Sequence, residues 1–301
     1  AFPPQVGIHY EAFWLRDYAY TLDGSAASYS GGELTDACRL FVRSLDPNGA
    51  GVDCVGFDGT PIYKPGYGTM GENPVADGGP FTVAVAWHMH RRTGDAELMR
   101  EILDPLLKAM RAVPRNPTTG LVHIDPRRGW DRCPYGFTDS VHKQGDVLFC
   151  SLLYVQACRR LSDLMRAAGR EDEARRRAEE ATRVAKSVRR IFWDADSGLF
   201  RAATVRCREH DVWGSAFAVF LGVADADQSR AVANRLRADY NEIVQHGQIR
   251  HLPGGVYWEE GCERDRYQNG GYWATPAGWF VYALDPADPA LADRTVLGMV
   301  E

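Results

Sequence analysis

Apolar segments recur along this 301-residue chain, and their repeat constrains the fold more than any other feature. The segments begin near residues 10, 80, 145, 212 and 272, a spacing of roughly 60 to 70 residues. After each of them come a short break and a more polar, amphipathic segment. Because a segment that is apolar all round is typical of a buried helix, the repeat predicts five helical hairpins joined by long loops.

The breaks inside the predicted hairpins carry helix stop and start signals. At residues 93–95, glycine ends one helix and aspartate caps the next. The predicted helix pairs are 9–24 with 33–45, 80–92 with 96–113, 145–168 with 173–191, 212–223 with 228–240, and 272–284 with a last helix from residue 289.

Hairpins joined in this way place the apolar helices inside and parallel, with the polar helices outside. We therefore expect an all-α chain of the α/α-toroid type, with small β-hairpins in the long loops at residues 116–124 and 192–204. The short connections fall at one end and the long loops at the other. Since the long loops meet the N-termini of the inner helices, functional residues are expected at that end.

Charge and cysteine content narrow the classes of function. A formal net charge of −5 gives no reason to expect nucleic acid or an anionic membrane as a partner, and no apolar run has the length of a membrane span. The seven cysteines are odd in number and form no CxxC motif, so neither a disulfide framework nor a metal site is indicated. We expect no cofactor. The chain begins with alanine and shows no signal peptide, which favours a cytoplasmic protein.

Tryptophan and tyrosine are unusually frequent, with eight and thirteen residues, and many stand beside glycine, aspartate, asparagine or arginine. Aromatic rings next to polar groups suit a cleft that stacks on sugar faces or on other flat ligands. Packing between large helices explains the same rings equally well, and both interpretations stay open at this point.

The segment 134–154, PYGFTDSVHKQGDVLFCSLLY, is a polar loop that leads into the third apolar helix. Its carboxylate Asp139 stands at the mouth of a buried helix, where its position is fixed and its environment can raise its pKa, as acid catalysis requires. The alternative is structural: Asp139 and Ser140 form a turn, and Asp146 caps the helix.

Four motifs, in this order, resemble those of the six-hairpin (α/α)6-barrel glycosidases. The resemblance is to the clan that holds the glucosidase I and mannosylglycerate hydrolase type, the trehalases and the neutral/alkaline invertases. The motifs begin inner helices; they are FWLRDY at 13–18, PVADGGPFTVAVAW at 74–87, GFTDS at 136–140 with the following QGDVLFCSLLY, and YQNGGYWATPAGW at 267–279.

This resemblance implies that residues 1–301 are one glycosidase-like catalytic domain, and we expect it to be truncated after Glu301. The implied reaction is inverting hydrolysis of an α-linked disaccharide, small glycoside or oligosaccharide, with Asp139 as general acid. In the resembled families the base is a glutamate in the last hairpin, near where this chain stops. Within the chain, Glu259 and Glu260 are the candidates for that base.

The resemblance also implies a set of sugar-binding residues. Arg16, Asp17 and Asp77 are expected to bind the reactive sugar, although Arg16 and Asp17 can instead form a structural ion pair and Asp77 can cap a helix. Lys143, Gln268 and Asn269 are expected to bond hydroxyls or a substrate acid group. The rings expected to stack on sugar faces are Trp14, Tyr67, Trp130, Trp258, Tyr267 and Trp273.

Two other classes of function remain open from the sequence. One is a sugar epimerase or lyase on the same toroid, resembling the N-acylglucosamine 2-epimerases, which rely on a pair of histidines. The histidines available for that role are His88, His90, His142, His246 and His251. The other class is a non-catalytic carbohydrate-binding domain that lacks its base.

Overall fold

The computed structural model describes residues 12–65, 74–128 and 132–300 of the chain. Within these ranges the fold is all-α, as predicted, with eleven helices and ten short strands. The helices are α1 Leu15–Ser25, α2 Gly31–Arg43, α3 Gly78–Thr93, α4 Ala96–Ala112, α5 Leu148–Ala167, α6 Glu171–Phe192, α7 Val212–Phe220, α8 Ala226–Ala238, α9 Tyr240–Ile243, α10 Ala277–Leu284 and α11 Pro289–Leu297.

The strands are two or three residues long. They are β1 Ala12–Trp14, β2 Cys54–Gly56, β3 Pro61–Ile62, β4 His123–Ile124, β5 Gly145–Asp146, β6 Trp193–Asp194, β7 Leu199–Phe200, β8 Val244–Gln245, β9 Gln248–Arg250 and β10 Tyr272–Trp273. They form two three-stranded sheets, in the orders β1-β2-β3 and β10-β9-β8, and the two pairs β4-β5 and β6-β7. All of these pairings are antiparallel.

The helices predicted for the five hairpins are present in the predicted order, as α1 and α2, α3 and α4, α5 and α6, α7 and α8, and α10 and α11. Contacts within a pair are seen for α3 with α4, α7 with α8, and α10 with α11. The break between α3 and α4 has the predicted chemistry. Gly94 takes the left-handed conformation with a φ of 65°, and the Asp95 side chain accepts the backbone N–H groups of Glu97 and Leu98. Local sequence signals are therefore enough to set where these two helices end and begin.

The chain divides into two compact units. The first comprises residues 1–115, 131–139 and 153–183. At its centre α3 contacts α1, α2 and α4, and it is buried along most of its length. This burial explains why the sequence of α3 lacks a polar face. Its one early hydroxyl, on Thr82, donates to the Gly78 carbonyl within the helix at 2.8 Å, so burial leaves it satisfied.

The second unit comprises residues 116–130, 140–152 and 184–301. Here α10 packs against α7, α8 and α11. Aromatic side chains contribute to this packing: the ring centroids of Phe217 on α7 and Trp279 on α10 lie 4.6 Å apart, and Phe149 at the start of α5 lies 5.1 Å from Phe217. Part of the aromatic content of the chain therefore serves helix packing, which is one of the two interpretations that the sequence left open.

Three details differ from the sequence-based expectations. The hairpin at 192–204 is confirmed by β6 and β7, but residues 116–124 form no hairpin of their own, because β4 pairs with β5. The first inner helix begins at Leu15, after strand β1, and not at residue 9; residues 9–11 lie outside the described ranges. The third begins at Leu148 and not at residue 145.

Asp146 explains the last of these differences. It lies in β5, and its carboxylate accepts hydrogen bonds from the Asn116 amide and the Thr119 hydroxyl, both at 3.0 Å, while His123 Nδ1 lies 2.7 Å from it. The side chain thus ties the 116–124 loop to β5. Among the described helices, none is both long and apolar enough to cross a membrane.

Candidate active site

In the first unit, Arg16 organises a buried group of carboxylates at the start of α1. Its Nε donates to Asp77 Oδ2 at 3.0 Å, and its Nη2 donates to Asp53 Oδ1. Burial alone would lower the pKa of the guanidinium, but the neighbouring carboxylates of Asp77, Asp53 and Asp17 outweigh burial and hold that pKa well above its usual value. Arg16 is therefore a fixed cation, hydrogen-bonded to Asp53 and Asp77 and not to the adjacent Asp17.

Asp77 is fully buried at the start of α3, where the alternative interpretation made it a helix cap. Its side chain makes no cap bond. Instead Oδ2 accepts from Arg16 and from the Gly136 backbone N–H, at 3.0 and 2.9 Å. Among the described residues, Oδ1 has no hydrogen-bond partner. An unsatisfied buried carboxylate oxygen is costly, so a ligand hydroxyl at this position would be stabilised.

Asp139, the predicted general acid, follows a single helical turn at Gly136–Thr138 and is only 5% exposed. The turn is anchored on the Arg16 group. A Cβ on Gly136 would lie 1.8 Å from Arg16 Nη2, so only glycine lets the backbone come close enough to donate to Asp77. Asp139 thus comes immediately after a backbone segment that is tied to a buried ion cluster.

Aromatic rings surround the same turn. The Tyr20 ring stacks on Phe137 with centroids 5.8 Å apart, and the hydroxyls of Tyr20 and Tyr135 lie 2.9 Å from each other. Asp17 is half-buried near Arg16, and burial raises its pKa. Trp14 lies in an apolar cluster with Ala12 and Cys54 and is only 9% exposed, and its role in sugar binding stays a prediction. Tyr67 and Trp130 lie outside the described residues.

In the second unit, three of the predicted sugar-binding residues build a loop. Trp258 donates its backbone N–H to Asn269 Oδ1 at 2.8 Å and its indole N–H to the Gln268 carbonyl at 3.0 Å. Asn269 Nδ2 donates to the Cys262 carbonyl at 2.7 Å, and Gln268 Oε1 accepts from the Ser140 backbone and hydroxyl. These polar groups shape the 257–270 segment.

Tyr267 and Trp273 are more open. Tyr267 is 43% exposed, its ring meets the Trp273 ring edge-on at 5.3 Å, and Trp273 Nε1 donates to the Tyr267 carbonyl at 3.2 Å. Lys143 is buried, and its ammonium lies 4.6 Å from the centroid of the Trp258 ring. A buried ammonium over an indole face is a favourable cation–π contact.

His251 and Asp211 form a buried pair that the sequence analysis missed. His251 Nε2 lies 3.0 Å from Asp211 Oδ1, which also accepts the Gly214 N–H, and the imidazole stacks on Trp213 at 4.2 Å. Burial lowers the pKa of His251, so the ring is neutral at pH 7. Asp211 opens the fourth inner helix in DVWGSAFAVF, just as Asp77 opens the second. That shared pattern was the available signal.

Of the histidines expected for an epimerase, His88, His142 and His251 each lie beside a carboxylate. His88 Nε2 lies 2.8 Å from Asp23, and His142 Nδ1 lies 2.7 Å from Glu260. His90 lies on α3, and His246 lies in the turn between β8 and β9. These contacts lend no support to a histidine pair as the reactive group.

The two predicted base candidates differ in their surroundings. Glu260 faces His142 and Arg206, and these partners lower its pKa. Glu259 is exposed to solvent; its Oε2 accepts the Cys207 N–H at 3.0 Å, and its own N–H donates to Glu209 Oε1 at 2.6 Å. Glu209, a residue that the sequence analysis did not select, is half-buried, and burial raises its pKa.

Two clefts have linings that share only His246 with the residues discussed above. One, of about 560 Å³, is lined by Tyr63, Lys64 and Arg132 among others, and one of about 660 Å³ by Tyr240, His246 and Arg294 among others. Asp139, Glu259 and Glu260 line neither cleft. Catalysis needs positioned acids and bases, and these lie in the polar groups described above.

Comparisons with known proteins bear on these groups. Residues 79–275, well over half of the chain, match the family described as mannosylglycerate hydrolase MGH1-like glycoside hydrolase domain. The match includes Asp139, Lys143, Glu259, Glu260 and the following segment as far as Trp273. A search of curated proteins by sequence found no match.

Among solved structures, the GH63 mannosylglycerate hydrolase from Thermus thermophilus in complex with glucose is similar to the whole chain. The TM-score is 0.69 at 17% identity, covering 100% of this chain and 86% of that one. A Klebsiella oxytoca rhamnosidase with rhamnose bound gives 0.58 at 15% identity, covering 76% and 42%. The GH78 family rhamnosidase of Bacillus sp. GL1 gives 0.56 at 16%, covering 90% and 31%.

At these identities the similarity shows the fold alone. It is the all-α toroid fold of the six-hairpin glycosidases, as the helical repeat predicted. The chain spans less than half the length of the two rhamnosidases.

Proposed function

This chain belongs to the mannosylglycerate hydrolase MGH1-like glycoside hydrolase family, and we propose that it hydrolyses an α-linked disaccharide, small glycoside or oligosaccharide with Asp139 as the general acid. The observation that carries this proposal is the anchoring of the Asp139 turn. The Gly136 N–H donates to Asp77, and Gly136 packs against Arg16. The backbone that leads to the buried Asp139 carboxyl is therefore tied to this ion cluster. General acid catalysis needs a carboxyl held in one position.

The proposed reaction uses two carboxyls. Asp139 donates its proton to the glycosidic oxygen of the leaving group while a second carboxylate takes a proton from the attacking water, which gives inversion at the anomeric carbon. Both protons are accounted for: one leaves with the aglycone and the other stays on the base. The reaction consumes one water and needs no cofactor.

We assign the base to Glu259 and not to Glu260. A general base must be able to accept a proton, and the Glu260 carboxylate is already held by Arg206 and His142, which favour its ionised form. Glu259 is exposed to solvent, and its Oε2 accepts one hydrogen bond, from the Cys207 backbone N–H. Water therefore reaches Glu259 more readily.

We assign sugar binding to a buried acceptor oxygen that lacks a hydrogen-bond partner among the described residues and to aromatic rings that are exposed to solvent. Asp77 Oδ1 is a buried acceptor without a partner among the described residues and suits a sugar hydroxyl, with Arg16 and Asp17 beside it. Tyr267 and Trp273 offer accessible rings for stacking. Gln268 and Asn269 support the loop that carries these rings, and we propose a carbohydrate as the partner.

Residues 1–301 are proposed to act as one catalytic domain, because the family match runs through segments of both compact units. The similar structures hold glucose and rhamnose, and the family name includes mannosylglycerate. We therefore choose three probes: the 4-nitrophenyl α-D-glucoside, α-D-mannoside and α-L-rhamnoside.

The test compares Asp139→Asn with the parent on these probes. Loss of a general acid lowers kcat by about 10²- to 10⁴-fold, while the melting temperature should stay near the parent value. Asp285→Asn, at the exposed end of α10, is the matched control and should keep parent activity. Full turnover by a folded Asp139→Asn protein would remove Asp139 as the acid. A parent protein that binds these sugars without cleaving them would support a binding domain instead.

A further inference from the structure

The backbone at Glu259 and Glu260 is held from several directions at once. The Glu260 carbonyl accepts from the His142 N–H at 3.2 Å and from Cys207 Sγ at 3.4 Å. The Glu260 carboxylate faces His142 and Arg206. These contacts fix both the backbone and the side chain of Glu260.

Glu259 and Glu209 contribute a further set of bonds to this fixation. Glu209 Oε1 accepts the Glu259 N–H at 2.6 Å, and Glu259 Oε2 accepts the Cys207 N–H at 3.0 Å. The Glu209 carbonyl in turn accepts the Ala202 N–H at 2.8 Å, which fixes the Glu209 backbone. Side chain and backbone of Glu259 are thus both tied to the 202–209 segment.

Cys207 shows that this arrangement is maintained against a conformational cost. It is a non-glycine residue with a φ of 56°, in the left-handed region, and it is buried. A β-carbon disfavours this region, so the surrounding contacts must hold it there. Its N–H bond to Glu259 is one of those contacts.

We infer that Glu209 is a positioning residue for the hydrolysis: by binding the Glu259 N–H it orients the Glu259 carboxylate toward the attacking water. This inference rests on the proposed function and adds to it a residue outside the four motifs of the sequence. Glu209 acts through Glu259 and makes no contact with the substrate.

The charges around Glu209 fit this role. Its Oε2 is buried and has no hydrogen-bond partner among the described residues. The charged groups that face it are Glu259, which repels a second negative charge, and Lys143, which attracts it. Burial raises the pKa of Glu209, and Lys143 opposes that rise.

The test uses Glu209→Ala and Glu209→Gln, assayed on whichever of the three 4-nitrophenyl glycosides the parent cleaves fastest. Alanine removes the acceptor for the Glu259 N–H, so kcat should fall on the order of 100-fold with KM nearly unchanged. Glutamine keeps a carbonyl oxygen in the same place and should restore kcat. It cannot ionise and so removes the negative charge that repels Glu259, and the acidic limb of the kcat–pH profile should therefore move to lower pH. Glu179→Ala on α6 is the control and should behave like the parent.

The outcomes separate this inference from the proposal beneath it. If Asp139→Asn is inactive while a folded Glu209→Ala keeps the parent kcat and pH profile, the inference fails and the proposed function stands. Equal loss in Glu209→Ala and Glu209→Gln, without a shift of the profile, also overturns the positioning role. If the parent cleaves none of the probes, the proposed function fails and the inference fails with it.

Discussion

Arg16 shows how one residue can organise a site. A buried guanidinium is tolerated only when carboxylates surround it, and its partners Asp53 and Asp77 lie 37 and 61 residues away in sequence. Because Asp77 also binds the backbone at Gly136, the same ion cluster sets the path of the chain that leads to Asp139. The predicted sugar-binding residues therefore have a structural role, and ligand binding remains a prediction.

Replacement of Gly136 by alanine should disrupt this arrangement. The new Cβ would lie 1.8 Å from Arg16 Nη2, so the guanidinium must move away from Asp77 and Asp53. Overpacking of this kind costs about 1–3 kcal/mol in the free energy of unfolding. Displacement of the Asp139 turn should lower kcat on the order of 100-fold. Urea unfolding and the glycoside assay measure the two effects.

Gly24→Ala in α1 is the matched control. A Cβ at Gly24 meets no atom within 4 Å, and alanine favours a helix more than glycine does, so the protein should gain about 0.5–1 kcal/mol in stability. If Gly136→Ala were as stable and as active as Gly24→Ala, the close packing of Gly136 on Arg16 would have no functional weight.

His251 predicts a pH dependence of stability. Burial lowers its pKa from 6.5, so the folded protein keeps the ring neutral while the unfolded chain takes up a proton below about pH 6.5. The free energy of unfolding should therefore fall as the pH drops below that value. The pKa of Asp211 is lowered from 3.8, so protonation of this carboxylate affects the free energy of unfolding only at more acidic pH than protonation of His251 does.

Unfolding of the parent and of His251→Gln between pH 7.5 and 5 measures the effect. Glutamine does not titrate, so the variant should lose less stability across this range than the parent, whatever its stability at pH 7.5. An identical slope in both proteins would contradict the assignment.

At the scale of helices and loops, three inner helices have a buried charged residue at or just before their N-terminus. Arg16, Asp77 and Asp211 stand at the N-terminal ends of α1, α3 and α7, and each is buried. An aspartate at a helix N-terminus is favoured by the helix dipole and can bind backbone N–H groups. Asp211 uses its carboxylate for that purpose, whereas the Asp77 side chain binds Arg16 and Gly136. One sequence pattern thus leads to two different uses.

The break between α3 and α4 provides a test of helix capping. The Asp95 side chain accepts two backbone N–H groups at the start of α4. Asp95→Ala should lower the free energy of unfolding by about 1 kcal/mol, because both donors then lose their acceptor. Asp95→Asn keeps the oxygen and should stay close to the parent. Equal losses in the two variants would mean that the charge, and not the cap, stabilises α4.

In the 257–270 loop, residues predicted to bind sugar also hold the loop in place. Trp258, Gln268 and Asn269 were expected to touch sugar, yet the contacts described for them bind the loop to itself and to Ser140. A side chain that holds a loop and one that holds a ligand can have the same residue type. The contacts of each residue are needed to separate the two roles.

At the scale of the whole molecule, the family match identifies a glycoside hydrolase domain, and the substrate and stereochemistry remain proposals. A net charge of −5 and several exposed or half-buried rings fit a neutral sugar better than a polyanion. The solved glycosidases with this fold have ligands that differ in sugar, so the fold by itself does not select one.

Inverting hydrolysis makes a prediction about the product. Cleavage of an α-D-glucoside or α-D-mannoside should first release the β-anomer, because water attacks the face opposite the leaving group. Proton NMR of the anomeric region within minutes of adding concentrated enzyme follows this before mutarotation mixes the anomers. Initial release of the α-anomer would instead indicate a retaining enzyme.

The number and order of the helical hairpins could be predicted from the sequence alone. Apolar periodicity, glycine stops and aspartate caps act over a few residues, so they set helices such as α3 and α4 whatever the rest of the chain does. The motif order likewise pointed to the glycoside hydrolase family and to Asp139. Helix starts beside strands were misjudged, since β4 pairs with β5 across 20 intervening residues.

The tertiary structure alone decided which polar groups meet. Arg16 pairs with Asp53 and Asp77, His251 with Asp211, and Glu209 with Glu259, over separations of 37 to 61 residues. No local pattern encodes such pairs, because they arise when packing of the hairpins brings distant loops together and burial then makes every unpaired charge costly. The turn before Asp139 could be recognised in the sequence, but its anchoring on Arg16 and Asp77 became visible only in the folded chain.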